Sequence, residues 1–256
     1  MYVSPEQYFK TLKTNEWVKN VSLGQVFTPR TGHECILADG MIYLFGGTDD
    51  EERLNDIFAY NIRANSWDKI TQASTTKNPV PEARSGARGV AYMDGLYFFG
   101  GYQRKHGTYF NDLFYFDLDK RVWNTITTVT NSQNSLKMPP SPRTDHTAVL
   151  YEGSMYVFGG YDGRARFNDL YKCKLRKGKY SWKQIEAEGT IPLNRFGHAA
   201  VVCKNSMFVI GGWNGHDTMD DVFQYSFLSN LWFEVRRIKG VRPKPRYRHS
   251  AVALKN

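Results

Sequence analysis

Met41-Ile42-Tyr43-Leu44-Phe45-Gly46-Gly47 is a run of five apolar residues closed by a glycine pair. The same run returns as Leu96-Tyr97-Phe98-Phe99-Gly100-Gly101, as Met155-Tyr156-Val157-Phe158-Gly159-Gly160, and as Met207-Phe208-Val209-Ile210-Gly211-Gly212. Successive pairs stand 54, 59 and 52 residues apart. Self-similarity at so steady a period marks a repeat architecture and has to be settled before any single residue is read.

Each copy carries further landmarks around that run. An arginine motif opens the unit: Arg30-Thr31-Gly32-His33, Arg84-Ser85-Gly86-Ala87, Arg143-Thr144-Asp145-His146 and Arg195-Phe196-Gly197-His198, with a fifth opening at Arg246-Tyr247-Arg248-His249. A first strand follows and turns into the glycine-pair strand at Asp39-Gly40, Asp94-Gly95, Glu152-Gly153 and Asn205-Ser206. An Asp-Gly pair between apolar runs favours the type I′ hairpin turn, whose two central residues need positive φ. Asn55-Asp56, Asn111-Asp112, Asn168-Asp169 and Asp220-Asp221 introduce a third strand, and Trp67, Trp123, Trp182 and Trp232 mark a fourth.

Four antiparallel strands per unit, repeated, build an all-β propeller with blades at about residues 30–70, 84–126, 143–185 and 195–235. A four-stranded sheet cannot bury both faces alone, so blades stack radially against one another. The glycine pair suits an inner strand where blades crowd the axis, and the tryptophan suits the wider gap between sheets. Partial strands are expected near 17–22, around Trp17, and near 247–254. Residues 1–16 form a polar N-terminal segment with one short helix around Gln7–Lys13.

The pattern of an Arg-x-Gly-His-like opening, a Gly-Gly strand, an Asn-Asp-Leu strand and a Trp 20 or 22 residues after the glycines resembles the kelch repeat. The Asn-Asp-Leu style is similar to that of the leucine-zipper-like, Rab-effector and acyl-CoA-binding groups of kelch proteins. The resemblance covers residues 17–253 and implies a ring that most often has six blades. Four complete units and two partial ones are then expected to be part of a longer chain, the rivals being an open ring or one closed by another chain.

The bulk numbers narrow the function. The 256 residues are 41% hydrophobic with mean hydropathy -0.53, and no apolar run approaches a membrane span. The N-terminus lacks the charged and apolar regions of a secretory signal, so a cytoplasmic protein is expected, with nuclear, cytoskeletal or ciliary placement also open. Cys35, Cys173 and Cys203 are too few and too widely spaced for a disulfide framework or a metal knuckle and read as buried thiols. A net charge of +9 suits acidic protein surfaces, nucleic acid or anionic lipid alike.

Residues that return in register serve the repeat. That argument assigns His33, His146, His198 and His249 to contacts with an adjacent blade, and the repeat arginines to inter-blade ion pairs with the third-strand aspartates. One aspartate per blade is the wrong arrangement for acid–base catalysis, which needs two groups flanking one bond. Kelch enzymes imply an alternative, a metal-dependent activity with iron or copper, but Glu52, Asp56 and Tyr60 lack the histidine of the iron relatives. No catalytic residue, metal ligand or cofactor is therefore assigned.

The loops remain, and scaffolds of this kind carry function there. The residue after each glycine pair drifts: Thr48, Tyr102, Tyr161, Trp213. The resemblance implies that this loop and the unit opening share one face, which adds Arg104, Arg164, Arg166 and Arg248. Aromatic and arginine side chains are favoured anchors at interfaces. The expected function is a non-catalytic interaction module or scaffold binding a protein partner through this face, as a substrate adaptor, GTPase effector or cytoskeletal or ciliary scaffold. Basic stretches at Lys172–Lys183 and Arg236–Arg248 keep nucleic-acid binding as a further alternative. No small-molecule substrate is expected.

Overall fold

The computed structural model describes residues 19–73, 78–127, 138–176, 179–236 and 240–254, and all regular structure among them is β. The expected helix at Gln7–Lys13 and the strand residue Trp17 lie outside these residues. Blade 1 is built from Glu34–Ala38, Met41–Phe45, Ile57–Asn61 and Ser66–Lys69, hydrogen-bonded in that order. Blade 2 takes Arg88–Tyr92, Gly95–Phe99, Leu113–Asp117 and Val122–Ile126. Blade 3 takes Thr147–Tyr151, Ser154–Tyr161, Arg166–Arg176 and Lys179–Ile185, and blade 4 Ala199–Cys203, Ser206–Trp213, Thr218–Ser226 and Leu231–Glu234. The first strands of successive blades touch one another, which places the axis beside them.

Two turns differ from the sequence expectation by one residue. Asp39-Gly40 and Glu152-Gly153 turn as expected, with φ of 49° and 75°, and of 44° and 65°. In blades 2 and 4 the pairs Tyr92↔Gly95 and Cys203↔Ser206 make Met93-Asp94 and Lys204-Asn205 the turns. Gly95 is needed inside the strand, because a Cβ there would lie 2.9 Å from the Tyr115 ring. Starting the blade 4 strand at Ser206 keeps Met207 and Val209 on the buried face.

The tryptophans fill the gaps between sheets, each against the preceding blade. Trp123 packs with Phe45 and Ile57 of blade 1, Trp182 with Val90 and Phe99 of blade 2, and Trp232 with Val149 and Phe158 of blade 3. Trp67, in blade 1, meets Phe27 edge-on at 4.8 Å instead and stays half-buried.

Main-chain bonds stitch the blades. The second glycine of each pair donates to the carbonyl of the next unit's arginine: Gly47 to Arg84, Gly101 to Arg143, Gly160 to Arg195 and Gly212 to Arg246, each at 2.9 Å. The first glycine has φ of 58–69° and faces the next opening so closely that a Cβ at Gly159 would sit 2.8 Å from both the Arg195 carbonyl oxygen and the His198 ring. Only glycine satisfies both demands. Asn55, Asn111 and Asn168 each donate their side-chain amide to a proline carbonyl before the next opening, Pro81, Pro140 and Pro192.

The ion pairs fall elsewhere than expected. Arg30 binds Asp56, Arg84 Asp112, Arg143 Asp169 and Arg195 Asp221 at 2.5–2.6 Å, and both partners of every pair belong to one blade. The opening folds back over its own glycine-pair strand, where the same guanidinium also donates to Gly46, Gly100, Gly159 or Gly211. The arginine thus reaches the previous blade with its carbonyl and its own blade with its side chain.

Both partial strands need correction. Residues 19–22 are not strand; Leu23–Gly24 pairs parallel with Ser66–Trp67 on the outer edge of blade 1, as Glu188–Gly189 does with Leu231–Trp232 in blade 4. Residues 247–254 form no strand, since no second strand is hydrogen-bonded beside them, yet Arg248 N–H still bonds Gly197 O at 2.6 Å in the repeat register. The thiols need correction too: Cys173 is buried, which raises its pKa to about 12, whereas Cys35 and Cys203 are exposed.

Candidate functional site

The face is assembled by four short bridges. Thr31 pairs with Thr48, Ser85 with Tyr102, Thr144 with Tyr161 and Phe196 with Trp213, so the residue after each repeat arginine lies beside the residue after each glycine pair. The loops that follow are self-capped. Asp49 accepts the N–H groups of Glu51 and Glu52, Asp162 those of Arg164 and Ala165, and Asn214 those of His216 and Asp217, at 2.6–3.1 Å. Those bonds from the Glu52 and Glu51 N–H groups hold the Asp49 carboxyl below its usual range. Part of the acidic first loop is therefore consumed in building it.

Side chains from these loops make a continuous belt. Arg53 lies over the Tyr102 ring at 5.6 Å, Tyr102 packs on Tyr109 at 4.5 Å, and Tyr109 meets Tyr161 edge-on at 6.1 Å. Tyr161 stacks on Phe196 at 5.3 Å, and Phe196 meets Trp213 at 5.3 Å. Arg166 is held between Tyr161 at 5.1 Å and Trp213 at 5.4 Å, and Tyr247 extends the belt from Trp213 at 6.2 Å. Glycines make room for it: a Cβ at Gly163 would lie 2.9 Å from the Tyr109 ring, and one at Gly215 would lie 2.9 Å from the Arg166 Cζ. Burial raises the Tyr109 pKa above its ordinary value.

Much of the belt lines a half-open concavity of about 870 Å³ at the axis. Two ion pairs cross its wall. Arg88 of blade 2 binds Glu34 of blade 1 at 3.0 Å, and Gly89 N–H bonds the same carboxylate at 3.2 Å. Burial raises the Glu34 pKa, opposed by the Arg88 charge and by those hydrogen bonds. Arg248 binds Asp145 of blade 3 at 2.9 Å while remaining 58% exposed.

Of the residues singled out from sequence, Tyr102, Tyr161, Arg166, Trp213 and Arg248 come together along this face. Thr48 shares the face but is tied into its own loop, donating to Glu52 O and accepting from Arg53, each at 2.9 Å. Arg104 and Arg164 sit exposed at loop tips. Sequence reasoning passed over Arg53, Tyr109, Phe196 and Glu34. Phe196 was findable, because it occupies the position after a repeat arginine, and so were Arg53 and Tyr109, which stand with Arg166 and Thr218 two residues before the third-strand Asn or Asp pair.

Two of the four repeat histidines, His146 and His198, make the contacts with the preceding blade expected of them. His198 Nε2 lies 2.9 Å from the Thr147 hydroxyl of blade 3, and His146 packs edge-on against Phe99 of blade 2. Burial holds both well below the usual histidine pKa. Among the described residues no three His, Cys, Asp or Glu side chains gather as a metal-ligand set. The basic stretch Lys172–Lys183 falls on the outer hairpin of blade 3, apart from residues 177 and 178, and residues 237–239 of the other stretch also lie outside the described residues.

Known proteins bear the same pattern. The family model described as KLHDC2/KLHL20/DRC7 Kelch-repeats domain matches residues 3–128 and 71–256. Leucine-zipper-like transcriptional regulator 1 homolog of Drosophila melanogaster is 25% identical over 93% of this chain and 24% of its own length. Leucine-zipper-like transcriptional regulator 1 of Homo sapiens is 29% identical over 88% of the chain and 27% of its length, and Kelch domain-containing protein 1 of Mus musculus 26% identical over 93% and 63%. The chain thus spans about a quarter of the leucine-zipper-like relatives it matches. With four registered blades, the stitched Arg-x-Gly-His openings and this match along its whole length, the chain belongs to the kelch-repeat β-propeller family.

Proposed function

We propose that the chain is a non-catalytic protein-interaction module whose partner docks on the belt at the mouth of the concavity. The observation that carries this reading is the belt itself: six aromatic side chains and two guanidiniums from blades 1–4 and the fifth opening, held together yet left half-exposed or exposed apart from Phe196. Rigid aromatic and arginine side chains supply contact area at low entropic cost, which is why they dominate binding energy at interfaces. Kelch repeats are typically protein-interaction modules, and within that class a substrate adaptor, a GTPase effector or an intracellular scaffold each fits a face of this kind.

The test is affinity purification with the triple variant Tyr102→Ala/Tyr161→Ala/Trp213→Ala beside an outer-rim control, Lys172→Ala/Lys174→Ala/Lys183→Ala. Partners recovered with the parent and the control are expected to be lost with the belt variant at an unchanged far-UV spectrum. Retention of every partner by the folded belt variant refutes the face. Stoichiometric iron or copper in the purified protein would instead favour the metal-enzyme reading.

A further inference from the structure

We infer that the rim of blades 3 and 4 remote from the belt docks on a bilayer carrying anionic lipid, with Leu228 entering the lipid interface and lysines on the headgroups. This goes beyond the interaction-module reading and does not depend on it.

Lys172, Lys174 and Arg176 alternate along the third strand of blade 3, in register with Tyr156, whose ring packs into the core shared with blade 4. Lys183 stands directly across from Lys172. Like charges directly opposite destabilise a sheet, and the other blades avoid them, with Ala59↔Asp68, Tyr115↔Asn124 and Gln224↔Phe233 at the same pair. Among the described residues none of these four cations, nor Lys204, is in an ion pair. Of the nearby acids Asp169 is held by Arg143, and Glu152, Glu186 and Glu188 are outnumbered. Blade 3 thus carries an uncompensated positive charge that the repeat does not ask for.

Packing ties this charge to an apolar tip. Lys172 Nζ lies 5.2 Å from the centre of the Tyr156 ring, Tyr156 meets Phe227 edge-on at 4.8 Å, and Phe227 stacks on Tyr151 at 3.9 Å. Phe227 N–H bonds Asn205 O at 3.0 Å and the Tyr151 hydroxyl donates to Asn205 Oδ1 at 3.1 Å, which sets the Lys204-Asn205 turn beside them. Leu228 follows Phe227 and is 74% exposed, where the outer turns of blades 1 and 2 carry Arg63 and Asp119. One exposed leucine is ordinary on any surface. A leucine held among unpaired lysines joins the two signals that stable binding to an anionic membrane needs.

A bilayer suits this patch better than a nucleic acid. The three rings pack on one another and offer no free face to a base, and the exposed tip is aliphatic. The orientation is also productive. Lys174 pairs with Ser154, the first residue of its strand, whereas the belt's Tyr161 is the last, about 20 Å away. A docked chain keeps its belt free for a protein partner.

Co-flotation with vesicles tests this, using phosphatidylcholine alone and phosphatidylcholine with about one phosphatidylserine in three lipids. The parent should float only with the phosphatidylserine vesicles, less so as salt rises. Lys172→Ala/Lys174→Ala/Lys183→Ala should lower the partition coefficient about tenfold or more, and Leu228→Ser several-fold. Far-UV spectra check the fold, and Lys174→Ala/Lys183→Ala, which alters exposed side chains alone, replaces the triple variant if that fails to fold. The belt variant Tyr102→Ala/Tyr161→Ala/Trp213→Ala should float as the parent does, which separates this site from the belt. Equal flotation with both vesicle types, none with either, or parental binding by the lysine variant overturns the inference. So does parental binding by Leu228→Ser, since the leucine is what distinguishes a bilayer from another polyanion. A labelled single-stranded oligouridine that binds through the same lysines while phosphatidylserine vesicles do not would give the patch to nucleic acid and overturn it too.

Discussion

Asp169→Asn isolates the ion pair that each blade repeats. Arg143 has no exposed side-chain surface, and its two terminal nitrogens reach the two Asp169 oxygens at 2.5 and 2.9 Å. The guanidinium also donates to Ser141 O at 3.0 Å, Ser141 Oγ at 3.0 Å and Gly159 O at 2.9 Å, and it lies 4.2 Å from the Phe167 ring. Asparagine keeps the shape but removes the charge and turns one acceptor into a donor facing a buried cation. Breaking a fully buried pair costs about 3–5 kcal/mol. Asp169 is 21% exposed and three other acceptors persist, which brings the expectation to about 2–3 kcal/mol. In a chain of this size that lowers the thermal midpoint by about 4–12 °C, read by circular dichroism. Asp112→Asn should cost less, because Asp112 is 37% exposed and water screens the pair. A midpoint within about 1 °C of the parent for Asp169→Asn, or a larger loss for Asp112→Asn, would refute this account of the pair.

The glycine pairs and the buried histidines make two further predictions. Gly159→Ala forces a positive-φ alanine against the Arg195 carbonyl and should cost at least about 2 kcal/mol, whereas Gly40→Ala, with nothing within 4 Å, should cost only about 1 kcal/mol in denaturant unfolding; equal losses would mean the close approach is unimportant. His146 and His198 are depressed by burial, so below the unfolded value of 6.5 the unfolded chain binds protons that the folded one does not. Stability is then complete above pH 6.5 and falls as pH drops, by up to about 1.4 kcal/mol per pH unit for each ring. Glu34, raised by burial, acts oppositely between 4.5 and its folded value and should blunt the decline there; urea midpoints across pH 4–7 that do not fall below pH 6.5, or that fall equally in His146→Gln/His198→Gln, contradict the assignment.

Repetition made the fold legible. Four copies of a glycine-pair strand, each followed by a tryptophan, leave little choice about strand order or about which faces pack. The errors came where the repeat pattern is silent about direction. A conserved register places Arg143 and Asp169 in the same unit, but only the backbone shows that the opening loop doubles back, so that the pair closes within its blade rather than between blades. Turn position in blades 2 and 4 shifted for a similar reason. Gly95 has two possible uses, in the turn or beneath the Tyr115 ring, and packing decided between them.

The candidate site was legible only in part, because a belt is made of what the repeats do not share. Tyr102, Tyr161 and Trp213 drew attention by breaking the pattern at one position, and the bridge to the next opening explains why that position meets Phe196. Arg53 and Tyr109 share one register position with Arg166 and Thr218, two residues before the third-strand pair and bridged to the residue after the glycines, a second varying position that a reading from the glycine pair alone does not reach. They matter through neighbours distant in sequence: Arg53 from blade 1 rests on Tyr102 of blade 2, and Tyr109 of blade 2 on Tyr161 of blade 3. Stitches between blades fix those distances within narrow limits, since each opening is bonded to the preceding glycine pair. The uniform part of the sequence therefore sets the spacing at which the irregular side chains meet. A change to a stitching residue such as Gly101 or Arg143 should disturb binding at the belt without touching any belt residue.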